Sequence, residues 1–239
     1  MSYDPYQSST QTASSGARVV DAGLQAYMQS VFRTMAWGLA VTGLTAYGVF
    51  SVPALFSLIF GTPLSWVVIL APLGFIWFGF SPAKVRGMSS EKLRSVFILF
   101  SAVMGLSMAA LFAIYTGASI ARVFFITAAM FAATSLYGYT TKRDLTGVGS
   151  FMAMGLFGIV IAMVVNIFLG SAMVQFVVSA LGVVIFTGLT AWETQRLRDI
   201  YADGATEANA KMAVMGALGL YLNFINLFQF MLQFMGQRR

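Results

Sequence analysis

The chain has 239 residues, 59% of them hydrophobic and 9% charged, where a soluble domain carries about 25% charged residues. In water such a chain would expose large apolar patches and aggregate, and a lipid solvent removes that difficulty. The net charge of +6 does not mark a nucleic-acid binder, because the basic residues sit in short clusters between apolar runs, as membrane topology signals do.

Cysteine and histidine are both absent. That excludes disulfides, a thiol nucleophile, thiolate or imidazole metal sites and histidine-ligated haem. No metal centre and no cofactor is therefore expected. A calcium ion could be held only by oxygen ligands, weakly and in transit.

The first 16 residues are rich in Ser, Thr, Gln and Gly and read as a disordered tail. The tail is taken to end at residue 20, leaving 21–239 as one membrane domain. Stretches free of charge then give the spans in order. Residues 34–83 hold no charged residue, which is room for two helices of about 20 residues each. The break falls near Pro53 and Gly61-Thr62-Pro63. Residues 95–121 and 123–141 give one span each, 145–192 give two divided near Asn166–Ser171, and 212–237 give the last. The expectation is an all-α polytopic membrane protein, a seven-transmembrane-helix bundle with spans near 33–52, 63–80, 94–115, 120–140, 147–168, 173–194 and 209–234. In span three, Ser101, Gly105 and Ala109 form a stripe of small residues on which a neighbouring helix can pack closely.

With the N-terminus in the cytoplasm, eleven basic residues fall on the inner side, among them Arg33, Lys84, Arg86, Lys142, Arg143, Arg196 and Lys211. Only Arg122, Arg238 and Arg239 fall on the outer side. This is a strong positive-inside bias. The Arg238-Arg239 pair dissents, and a re-entrant last segment is the alternative to a full crossing.

Enzymatic chemistry finds no support. There is no H-E-x-x-H, no lysine inside a span for a Schiff base, no G-x-x-x-x-G-K-[ST] and no G-x-S-x-G. Three polar stretches stand out instead. Ser135–Gly147 closes span four and opens span five, with Lys142 and Arg143 as anchors and Asp144 as their partner or as a helix cap. Thr190–Arg196 ends span six and holds Glu193, the one acidic residue touching a span. It either pairs with Arg196 in the headgroup region or faces the bundle and gates an aqueous path. Leu220–Gln233 gives span seven a face of Asn223, Asn226, Gln229 and Gln233, which must point at protein or water.

Taken together, SLYGYTTKRDLTGVGSF, TAWETQRLRDIY and LGLYLNFINLF resemble the three signatures of the Bax inhibitor-1 family, in its bacterial branch, over about residues 20–239. The resemblance implies a seven-helix bundle with a pH-sensitive central pathway and a calcium leak. That pathway is closed by two aspartates sharing a proton and by a basic latch at the inner end of span two. The first aspartate falls on Glu193 and the second on Asn223, which cannot ionise. The latch falls near Lys84–Arg86, with Arg86 favoured. Glu193 is thus expected to accept a hydrogen bond from Asn223 and an ion pair from Arg86. Flux would then depend on pH more weakly, or at a different pH, than in relatives with two aspartates.

One obstacle is depth. Straight helices around a turn at Asp203-Gly204 would leave Glu193 and Asn223 about 15 Å apart, unless the 199–206 linker is irregular or the last helix starts near Thr206. The rival expectation is a non-conducting regulator that binds other membrane proteins, such as a quality-control protease. A solute transporter is disfavoured by the lack of internal repeats. The bilayer itself is a partner in every reading. The span-four motif and short loops fit the plasma (inner) membrane of a bacterium.

Overall fold

The structure is a computed structural model that describes residues 6–239, with side chains from residue 22 onward. The tail expected over 1–20 falls on residues outside the described set and on turns whose side chains are not described. Among the described residues the fold is all-α. Ten helices follow in order: α1 Tyr6–Ser51, α2 Pro53–Phe60, α3 Leu64–Gly79, α4 Pro82–Gly87, α5 Ser90–Met108, α6 Ala110–Ile114, α7 Gly117–Thr140, α8 Thr146–Leu169, α9 Ala172–Asp199 and α10 Thr206–Met235.

Five of these segments are long and apolar enough to cross a bilayer: Ser90–Ile114 (α5 with α6), α7, α8, α9 and α10. A sixth is the described part of α1, Ala22–Ser51, taken with α2, which is bent from it by 98°. Proline at the first position of α2 is pre-set for a helix start and cannot continue the preceding one. The second expected span, 63–80, is the 16-residue α3. At 1.5 Å per residue it covers about 24 Å, short of a ~30 Å hydrocarbon core. Length and apolarity therefore count five or six spans, and α3 is the element on which a count of seven turns.

Local chemistry sets the ends. Ser89, Thr116 and Ser171 accept hydrogen bonds from Lys92, Ser119 and Val174 at the starts of α5, α7 and α9, relieving amides that have no partner inside the helix. Gly170 ends α8 with φ of 60°, a left-handed cap that glycine adopts without strain.

The bundle is built around α10. Within its most apolar window 72% of the residues are buried, against 6% for α8. α1, α5, α7 and α9 surround it, and α8 lies outside, packed on α9. Close approach uses the small residues read from the sequence. Ser101, Gly105 and Ala109 are buried, and a Cβ on Gly105 would come within 2.6 Å of the Thr42 carbonyl of α1. Likewise a Cβ on Gly138 of α7 would overlap the Ala191 carbonyl of α9.

Candidate functional site

The α9 and α10 helices run antiparallel, and their seam holds the acid of span six. Asn223 Nδ2 donates to Glu193 Oε2 at 2.7 Å. Asn223 is 8% exposed, and Thr190, one turn before Glu193 on α9, and Thr194, the residue after it, are fully buried. A carboxylate there is tolerable because it has a donor aimed at it.

The depth obstacle is resolved in the linker. Glu193 lies six residues before the end of α9, and Asn223 lies seventeen after the start of α10. The difference is about 16 Å of helix. The six residues Ile200–Ala205 can span about 20 Å when extended. They run back along α10, where Asn209 Nδ2 donates to the Ala202 carbonyl at 2.6 Å and Asn209 Oδ1 accepts from its amide at 3.4 Å. The first turns of α10 thus project beyond α9, and the two polar residues meet. Gly219 completes the pocket, because a Cβ there would overlap Oε1 of Glu193.

The remaining site expectations fare differently. Arg86 does not meet Glu193. Its Nε donates to the Pro82 carbonyl at 3.3 Å, and its own carbonyl accepts from Lys211 Nζ at 3.3 Å. Lys211 is twelve residues, about 18 Å of helix, from Asn223, which is beyond the reach of one arginine side chain. Arg196 does not pair with Glu193 either. It sits 5.6 Å over the Trp192 ring, and the one ion pair among the described residues is Arg198–Asp199 at 2.9 Å. Asn226 turns its amide to the Leu222 carbonyl at 2.8 Å, so it is held by its own helix and does not join the pair.

Two residues missed in the sequence hold the α7–α8 turn against α9. Gln195 Oε1 accepts from Leu145 N at 2.8 Å, and its Nε2 donates to the Arg143 carbonyl at 2.7 Å. Arg198 donates to the carbonyls of Tyr139 at 2.6 Å and Thr141 at 3.1 Å. The available signal was the end of α7, whose last carbonyls lack helical partners, beside a run of long polar donors on α9. The N-cap position of α8 is Leu145, and Asp144, the residue before it, pairs with neither Lys142 nor Arg143 but accepts from Thr146 N at 2.8 Å. Its bonds to Thr146 hold its exposed carboxyl below the usual carboxylate range.

A second polar node was also missed. The fully buried Tyr221 places its hydroxyl 2.6 Å from Thr42 Oγ1, and that hydroxyl is 2.9 Å from the carbonyls of Gly38 and Ser101. The single threonine proton goes to a carbonyl, so Tyr221 is the donor to Thr42. The node ties α1, α5 and α10 together within two residues of Asn223.

Farther along the α9–α10 seam the contacts are apolar, with Phe186 stacked on Phe230 at 5.7 Å and Phe230 over Gly182. Polar groups return at the far end. Ser179 donates to Gln233 at 3.4 Å, and a cavity of about 460 Å³ is lined by Gln175, Gln229, Gln233, Tyr115 and Arg238 among others. The final residues close over that end: Thr116 N donates to the Gln237 carbonyl at 3.1 Å and Gln237 N to Ser119 Oγ at 2.9 Å.

Comparison with known proteins agrees with this architecture. Residues 24–239 match the family described as inhibitor of apoptosis-promoting Bax1. The chain is 42% identical to protein RP147 of Rickettsia prowazekii over 234 residues, covering 96% of this chain and 97% of that protein. It is 44% identical over 232 residues to a Caulobacter vibrioides protein, with 92% of each covered. It is 41% identical over 222 residues to the inner membrane protein YbhL of Escherichia coli K12, covering 91% of this chain and 94% of that protein. With the three polar motifs seated in one helical bundle, these matches settle the family: the chain belongs to the Bax inhibitor-1 family.

Proposed function

We propose that the protein lets cations, calcium among them, leak across a bacterial inner membrane, and that passage is controlled at the Glu193–Asn223 pair. The observation that carries this reading is the 2.7 Å hydrogen bond between the two side chains, placed between α9 and the central helix. Polar groups line the same seam at its far end, and the stacked Phe186 and Phe230 separate the two polar regions. An apolar constriction of this kind stops ions by excluding water, so the arrangement reads as a closed state. The protein does no catalytic chemistry in this reading. The name of the YbhL relative supports placement in the inner membrane, and the positive-inside bias supports an N-terminus in the cytoplasm.

Flux into calcium-dye-loaded proteoliposomes tests it. Glu193→Gln should abolish or strongly reduce the leak. Asn223→Asp would put two carboxylates within hydrogen-bond distance, sharing a proton, and should steepen or shift the flux profile across roughly pH 6–8. Superimposable profiles for the Asn223→Asp variant and the parent would refute control at this pair.

A second reading, a non-conducting regulator that binds other membrane proteins such as a quality-control protease, draws on α8. That helix packs mainly on α9 and presents Phe151, Met154, Phe157, Ile161 and Phe168 outward, a face on which another membrane helix could dock. Absence of flux at every pH, with the fold intact, would favour it.

A further inference from the structure

The side of the bundle away from α9 carries a groove between α1, α6, α7 and α10, with a volume of about 340 Å³. Its floor includes Ala46, Met108, Phe224 and Phe228, all buried. Tyr47 and Phe125 line it while remaining 60% and 70% exposed, so it opens sideways to the bilayer. The space exists because Gly43, Gly117 and Ala121 line it and present too little side chain to fill it. Along α1 the groove runs from Leu39 to Tyr47, eight residues or about 12 Å. That is close to the depth of one leaflet of a ~30 Å core.

One end of the groove is charged. Phe112 lines it, Phe50 stacks on Phe112 at 5.6 Å, and the Arg239 guanidinium lies 5.3 Å from the Phe50 ring. Arg239 N donates to the Ile114 carbonyl at 3.0 Å, which pins the backbone of this residue beside the groove. The exposed Arg239 forms no ion pair among the described residues. With Arg122 and Arg238 it makes this end of the bundle cationic. The acidic residues whose side chains are described, Glu91, Asp144, Glu193, Asp199, Asp203 and Glu207, all lie toward the opposite end.

We propose that this groove binds one acyl chain of an anionic phospholipid whose phosphate is held by Arg239. The apolar slot supplies affinity for a chain of one leaflet's depth, and the unpaired guanidinium at its mouth supplies preference for a negative headgroup. Bulk lipid would wet any exposed helix face. The combination of a slot with a cation at its end that no acidic side chain among the described residues pairs selects one lipid class.

Native mass spectrometry of the full-length protein in neutral detergent tests the site with phosphatidylglycerol and phosphatidylcholine of identical chains. The protein should retain phosphatidylglycerol about fivefold better, the effect of one basic residue near an anionic headgroup. Inorganic phosphate should not displace it. Arg239→Gln should bring phosphatidylglycerol down to the phosphatidylcholine level. Gly43→Leu should lower retention of both lipids, and a Cβ at Gly43 meets nothing within 4 Å, so the helix accommodates it. Equal retention of the two lipids by the parent overturns the proposal, as does an unchanged preference in Arg239→Gln. Displacement by phosphate alone, which would mark a simple anion site, or full retention by Gly43→Leu overturns the acyl-chain assignment.

Discussion

At Gly219, two opposing residue-scale effects can be weighed. Glycine inside a helix costs about 1 kcal/mol relative to alanine, so Gly219→Ala taken alone should stabilise. A Cβ there overlaps Oε1 of Glu193, however, and that oxygen belongs to a carboxylate held by Asn223. Overpacking of this kind costs about 1–3 kcal/mol. The second effect should win, so Gly219→Ala lowers the thermal midpoint, whereas in a Glu193→Ala background the same change raises it. The double-mutant cycle reads the coupling directly. The partnership of Glu193 with Asn223 was legible from the sequence, through motif positions that the family resemblance supplied. The absence of an Arg86 contact was not legible, because no motif fixes the register of the α3–α5 connection and α4 is a separate helix.

Single elements show why some boundaries were readable and others were not. Charge-free runs located α7, α8 and α9 to within a few residues, since a lipid solvent admits few charges in a spanning segment. The 98° break between α1 and α2 falls within one uncharged run. Charge is therefore silent about it, and only Pro53 marks the place. The clamp on the α7–α8 turn was unreadable for another reason. Gln195 and Arg198 bond to backbone carbonyls, which every sequence possesses. Arg198→Ala removes a charged donor from two carbonyls, a loss of about 1.5–3 kcal/mol for a bond to a charged group. Limited proteolysis should show faster cleavage at Lys142-Arg143 in that variant, with the bundle still folded, and unchanged cleavage would show that the turn holds without it.

For the molecule as a whole, the proposed orientation rests on where the cations lie, and the chain's lack of cysteine gives a clean background for measuring it. Ser89→Cys, at the start of α5, should react with a membrane-impermeant thiol reagent only from the cytoplasmic side, and Gly117→Cys, at the start of α7, only from the other. The reverse pattern would invert the topology proposed above. The placing of α10 has a further consequence, for which length changes in the chain the fold can absorb. Its N-terminal turns are fixed outside the seam, with the Glu207 carboxylate accepting from Ser90 N and Oγ, each at 2.9 Å, and Lys211 bonded to Arg86. Its middle is fixed inside by Asn223. Deleting one residue between these anchors rotates one against the other by about 100°, so either Ser90 loses its acceptor or Glu193 loses its donor. One residue more or fewer in Ile200–Ala205 disturbs the Asn209 contacts with Ala202 and the packing of Tyr201 on Tyr27, but leaves both anchors of α10 in place. Insertions and deletions are therefore admissible in the six linker residues and forbidden in the turns of helix that follow them.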